Sequence, residues 1–182
     1  MTRNLQTYQN IWISNPPNRV TPGGQFLVRT TLYVDAPGKL LGLRFYDGVE
    51  ENVNHVGVVV QRNTGTTSRA ALGALAFPHY SPGGSPTLGW QSKYFNTPID
   101  LVANDWIDAA VWFTGGSYWT SVDNVTQLGE LVSGNIHVPK DGATDPGGNT
   151  LHNSAFGNTL TFNPNTQIND QLAGIDVIFL PN

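Results

Sequence analysis

The sequence predicts an all-β protein, an antiparallel, jelly-roll-like β-sandwich of about nine strands with no long helix. Three observations lead there. Charged residues make up 12% of the 182-residue chain, about half the usual share. Only three lysines and three glutamates are present, too few to solvate the outer face of a long helix. Glycine (20 residues) and proline (12) punctuate the chain at short intervals, and the runs between them are rich in β-branched and aromatic residues.

Residues 1–24 read as an N-terminal arm and residues 25–182 as a single sandwich domain. In the arm, Ile11-Trp12-Ile13 is a candidate short strand, broken by Asn15-Pro16-Pro17-Asn18, and Thr21-Pro22-Gly23-Gly24 turns into the domain. The stretch from Phe26 to Tyr46 organises the rest. Its two arms flank Asp35-Ala36-Pro37-Gly38, which is the composition of a β-hairpin. Alternation puts Phe26, Val28, Thr30, Leu32 and Val34 on one face, with Leu27, Arg29, Thr31 and Tyr33 on the other. In the second arm Leu41, Leu43 and Phe45 oppose Gly42, Arg44 and Tyr46. The face carrying Arg29 and Arg44 is expected to be the wetter one.

His55 to Gln61, apolar on both faces, is expected mid-sheet. Ala70 to Phe77 is a small-residue strand. Pro78 to Pro86 is too rich in proline and glycine for a regular element and reads as a surface loop. Leu88 to Phe95 resumes alternation until Asn96-Thr97-Pro98, after which Ile99-Asp100-Leu101 is a short edge piece. Asp105 to Thr114 is the strongest late strand, with Trp106, Asp108, Ala110 and Trp112 alternating against Ile107, Ala109, Val111 and Phe113. Gly115-Gly116 opens a loop with Tyr118 and Trp119. Residues 129–160 are mostly irregular, and Gly174 to Leu180 closes the chain as a strand expected inside a sheet.

Composition also limits function. There are no cysteines, so a disulfide framework, a thiolate metal site and a cysteine nucleophile are excluded. The net charge is −4 and the nine basic residues are scattered, which leaves no positive stripe for a phosphate backbone, so no nucleic-acid partner is expected. No apolar run reaches the length of a membrane-spanning helix, and the first residues lack a signal-peptide core. The expectation is a protein made in the cytoplasm of a host, with no membrane partner.

The order of Leu41-Gly42-Leu43-Arg44-Phe45-Tyr46, His55-Val56-Gly57, Gly89-Trp90-Gln91, Phe95 to Ile99, the Trp106–Phe113 strand before Gly-Gly-Ser-Tyr, and the closing Ile175 to Phe179 resembles a bacterial domain family of unknown function. The resemblance covers residues 25 to 181. It implies a β-sandwich of the kind found in large extracellular proteins beside immunoglobulin-like and carbohydrate-handling modules. In a stand-alone chain it implies a bacteriophage virion protein.

Candidate sites are few. Asp105 and Asp108 are close in sequence, and Asp141 and Asp145 share one loop, yet Asp105 reads as a turn residue and Asp108 as the wet face of a strand, so no catalytic residue is assigned and no enzyme is expected. His55, His79, His137 and His152 lack the spacing of a metal pair. Loop 141–149 has Asp and Asn but not the alternating pattern of a calcium loop, so no metal or cofactor is assigned. Trp90, Trp106 and Trp112 are read as core. Tyr118 and Trp119, in a Gly-Gly loop, and His79 and Tyr80, between prolines, are the candidate contact residues, because a loop needs no large ring for its own folding. The expected function is a non-enzymatic structural or adhesion protein of a phage virion, a minor tail or capsid decoration protein. It would dock on neighbouring virion chains, as a homo-oligomer. The alternative is a carbohydrate-binding module for bacterial cell-surface glycan.

Overall fold

The computed structural model describes residues 8–12, 16–21, 24–47, 54–62, 71–78, 89–121, 130–148, 150–151, 154–157, 166–167 and 172–182. These contain thirteen strands and no helix: β1 (Asn18–Val20), β2 (Phe26–Val34), β3 (Gly38–Asp47), β4 (His55–Gln61), β5 (Ala71–Phe77), β6 (Gly89–Leu101), β7 (Trp106–Phe113), β8 (Tyr118–Thr120), β9 (Leu131–Ser133), β10 (Ile136–Val138), β11 (Ser154–Gly157), β12 (Thr166–Gln167) and β13 (Ile175–Pro181). The excess over the nine expected comes from pieces of two to four residues, too short to show alternation.

All pairings between strands are antiparallel. The larger sheet runs β12-β11-β2-β7-β4-β5, with β10 and β9 beside the second half of β2. The smaller sheet runs β13-β3-β6, and β1 pairs with β8 as a separate ribbon. The inward faces follow the sequence alternation except at the start of β3, where the register shift between Leu40 and Gly42 puts Leu40 in the core in place of the expected Leu41. Phe26, Val28, Leu32 and Val34 of β2 and Ile107, Ala109, Val111 and Phe113 of β7 meet Leu40, Leu43, Phe45, Ile175, Val177 and Phe179 of the smaller sheet in one core. Phe45 sits at its centre, edge-on to Phe77 at 5.0 Å and to Phe113 at 5.9 Å. Rings in that arrangement add to the stabilisation from burial alone.

Phe26 to Tyr46 is not a hairpin. Its halves β2 and β3 lie in opposite sheets, and the turn at Asp35–Pro37 carries the chain across the sandwich. Both long sides of β2 are already taken, one by β7 and the other by β10 and β11. No ladder edge is left for β3, and the turn is tied elsewhere: the Val34 and Asp35 amides donate to the carbonyls of Asp105 and Asn135. Turn composition specifies a reversal of direction, not which sheet receives the next strand.

β4 lies between β7 and β5, as expected of a strand apolar on both faces. β6 runs unbroken through Asn96-Thr97-Pro98, where an interruption was expected. It is a sheet edge, where a proline removes no ladder bond, and the register shifts between Leu40 and Gly42 to absorb the extra residues. Gly42 is required there, since a Cβ would stand 2.1 Å from the Lys93 carbonyl oxygen.

The arm is built into the fold. Gln9 exchanges two main-chain hydrogen bonds with Phe179 on the outer edge of β13, and the Trp12 side chain is buried, its indole N–H donating to the Ala173 carbonyl at 3.0 Å.

Candidate functional site

The two strand faces expected to be wet are not. Arg29 and Asp108 lie on the outer face of the larger sheet, yet Arg29 is 3% exposed and Asp108 fully buried. Asp108 accepts from Arg29 Nη1 at 3.0 Å, from the Thr31 hydroxyl at 2.6 Å and from Arg62 Nη1 at 3.3 Å. Arg62 also donates through Nε to Asp145 at 3.2 Å. Asp145 belongs to the irregular segment 139–151, whose Leu151 is fully buried. Folding back on itself through Gly142, Ala143 and Leu151 main-chain bonds, that segment supplies the anion on which Arg62 closes. A buried carboxylate is tolerable only with such partners. Asp105, by contrast, is the turn residue it was read as, accepting from the Val102 amide at 2.8 Å.

A second ion pair holds the arm. Asp176 of β13 stands opposite Arg44 of β3 in the ladder, and their side chains meet at 2.8 Å. The carboxylate also accepts the Ile11 amide at 2.9 Å and the Trp12 amide at 2.8 Å. Arg44 in turn donates to the Asn10 side chain and the Trp12 carbonyl. Burial pushes the Asp176 carboxyl up, against the pull of Arg44 and the two amides that favour its charge.

Over this pair runs a line of aromatic rings. Trp12 and Trp90 are 6.0 Å apart, Trp90 and Tyr46 5.6 Å, and Tyr46 and Trp119 5.4 Å. The Arg44 guanidinium lies 4.3 Å from the Trp90 ring centre, a cation–π contact. Trp119 thus stands with other rings instead of alone in a loop. It and Tyr118 form β8, not a loop, and alternation sends them opposite ways. Tyr118 is buried on Phe26 at 5.6 Å, and burial pushes its hydroxyl up to about 12. Only Trp119 of the two keeps a partly open position. His79 and Tyr80 lie outside the described residues.

Comparison with protein-family models gives no match, and comparison with curated proteins gives none either. The functional reading therefore rests on the chain's own geometry.

Sequence reasoning missed a third cluster. On the outer face of the larger sheet, Trp106, Tyr33 and His137 from β7, β2 and β10 stack in a row, with centroids 4.8 and 4.6 Å apart and planes within 20°. The Tyr33 hydroxyl donates to Glu130 at 2.5 Å, and desolvation with that carboxylate raises it to about 12. His137 lies between two acids, Nε2 at 3.1 Å from Asp35 and Nδ1 at 3.4 Å from Glu130. Hydrogen bonds from Asn135 and His137 hold the Asp35 carboxyl below the usual carboxylate range.

The shape of this row decides its chemistry. Each inner ring face is covered by the next ring, so mainly edges are offered outward, and a sugar stacks on a face. The acids flank opposite nitrogens, so no single ion can be held by all three side chains. Among the described residues no group of three His, Asp or Glu side chains is arranged for a metal. Asp145 of loop 141–149 is occupied as well, one oxygen taking Arg62 and the other the Gly147 amide at 2.9 Å.

Trp106 and Trp112 are half-buried on outward-facing positions, not in the core where they were expected, whereas Trp90 is half-buried and packs against the core beside Trp12. In β7 the inward positions belong to Ile107, Ala109, Val111 and Phe113, and one-residue alternation excludes the two tryptophans from that side. His55 is the reverse case. It points inward, with its ring 4.5 Å from that of Phe113.

Proposed function

We propose that this chain is a non-enzymatic structural and adhesion domain of a phage virion, a minor tail or capsid decoration protein that docks on neighbouring chains. One observation carries the reading. The buried charges described on the two outer faces, Arg29, Arg62, Asp108 and Asp145 on one and Arg44 and Asp176 on the other, pair with one another, while β6 is a thirteen-residue strand that, among the described residues, pairs on one side only. Its Tyr94 is 57% exposed. A long edge of this kind offers unpaired amides and carbonyls in register, and extended segments of other proteins add to such edges through main-chain bonds. Lys39 and Asp100, an exposed pair at the far end of β3 and β6, put charge beside the edge, which limits indiscriminate pairing.

The test is the composition of intact particles. Mass spectrometry of virions purified from an infected host should find the chain at a fixed copy number. Replacing Tyr94 by Asp should leave the protein folded and deplete it from particles. Particles that lack the native chain would refute the reading.

Carbohydrate binding is the second reading, and Trp119 is the observation that favours it, being half-buried with a partly open ring beside Tyr46. Binding of cell-wall glycan by a monomer, lost in Trp119→Ala, would replace the first reading with this one.

A further inference from the structure

The arm and its receptor point to a second docking device, apart from the β6 edge. Most of what grips residues 9–12 lies on β3, on β13 or just before β13: Asp176 and Arg44, the Phe179 main chain and the Ala173 carbonyl; Asn135, between β9 and β10, and the Trp90 ring of β6 complete it. Five of the gripped groups are main chain: the Ile11 and Trp12 amides, the Trp12 carbonyl, and the Gln9 N–H and carbonyl; the Asn10 side chain takes Arg44, and the Gln9 side-chain amide exchanges two bonds with Asn135. One side chain goes deep, the Trp12 indole. Farther along the arm, β1 pairs, among the described residues, only with β8, in a ribbon separate from both main sheets. Arg19 and Thr21 there reach Ser117 at 2.9 and 2.7 Å.

Neither main sheet contains an arm strand, so both keep their ladders if the arm leaves. The receptor cannot stay empty at no cost, because the Asp176 carboxylate is buried and would lose two of its donors. It requires an extended segment with an indole, and its contacts do not specify which copy supplies it. The arm joins β2 through Thr21-Pro22-Gly23-Gly24, where Gly24 has a φ of +71°, a left-handed conformation natural to glycine. We infer that the arm is an exchangeable strap, and that the receptor on β13 is filled by the arm of a second copy of this chain. Exchange of an identical element needs no new surface and is a low-cost route to dimers.

The bridge between Gln9 and Phe179 is antiparallel, and the two residues exchange both main-chain bonds. One step further therefore sets Tyr8 opposite Leu180 as a non-hydrogen-bonded pair, the closer of the two pair types and within disulfide reach. The native chain has no cysteine, so the double variant Tyr8→Cys with Leu180→Cys reports only this contact. After mild oxidation of the concentrated full-length protein, exchange gives a product of twice the chain mass, with residues 8 and 180 joined between chains. A product of single-chain mass with that link internal overturns the inference. Absence of the link in folded protein overturns it also, since the arm is then not on β13. If the double variant does not fold, light scattering on the unsubstituted protein decides: a mass of one chain at every concentration overturns the inference. Larger assemblies that carry the link internally would leave the virion reading standing and remove only the exchange.

Discussion

Replacing Asp108 by Ala should be among the most damaging single changes in the larger sheet. The carboxylate is fully buried on the central strand β7, and its loss removes the acceptor of Arg29, Thr31 and Arg62 at once. Arg62 retains Asp145 at 3.2 Å; the buried positive charge on Arg29 loses an anion at 3.0 Å. Breaking a buried pair from one side costs about 3–5 kcal/mol. For a chain of this size that lowers the melting temperature by roughly 6–20 °C. Asp108→Asn keeps the shape and can keep the bonds from Thr31 and Arg62, while its amide faces Arg29. It should fall between, at about 1.5–3 kcal/mol, the worth of a hydrogen bond to a charged group. Urea unfolding followed by tryptophan fluorescence gives both values if the slope is unchanged. A loss under about 1 kcal/mol for Asp108→Ala would refute the reasoning, because it would mean that water already reaches the site and segment 139–151 does not seal it.

Lys39→Ala is the counterpart, breaking a pair whose side chains are 47% and 79% exposed, and should change stability by less than about 1 kcal/mol in the same assay. Gly42→Ala should disrupt the β3–β6 ladder, since the added carbon meets the Lys93 backbone at 2.1 Å; amide exchange of Leu43 and Tyr94 should rise well before global unfolding. Alkaline pH should weaken the fold. Tyr33 and Tyr118 are raised from 10.0 to about 12, so their contribution is complete below pH 10 and is lost as pH rises toward 12. Tyr118→Phe should flatten the alkaline part of a stability–pH profile, and an unchanged slope would remove Tyr118 as a cause. Trp12→Ala should detach the arm and cost about 3–5 kcal/mol as a large core truncation, and it should raise proteolysis near the N-terminus.

How much of this was legible differs between fold and site. Strand class and most strand positions were readable, because alternation and turn residues are local signals. β4 as an interior strand followed from Val56 and Val58 to Val60 alone. Sheet membership was not, since whether β3 folds back on β2 or crosses the sandwich depends on what fills the far side of β2. That is β10 and β11, about a hundred residues later in the chain. The breakage expected at Pro98 failed for a related reason, because an edge position forgives what a central one does not.

The buried charges were missed although a signal for them was present. Asp is depleted in strands, and Asp108 and Asp176 both sit in runs otherwise made of Ile, Val, Ala, Phe and Trp. An apolar strand whose alternate face were merely wet would carry Thr, Lys or Gln there. A lone carboxylate in such a setting asks for a cation on the neighbouring strand, and Arg29 and Arg44 are the two arginines in the stretch from Phe26 to Tyr46. Each Asp pairs with one of them. What the sequence could not show is the layer that closes on the sites: Asp145, through Arg62, on one and residues 9–12 on the other. Both layers are irregular, and irregular chain carries no periodicity to read. Polarity on the outer face of a strand therefore marked where another segment lies down, and the same reasoning makes the arm a ligand of Asp176 before it is anything else.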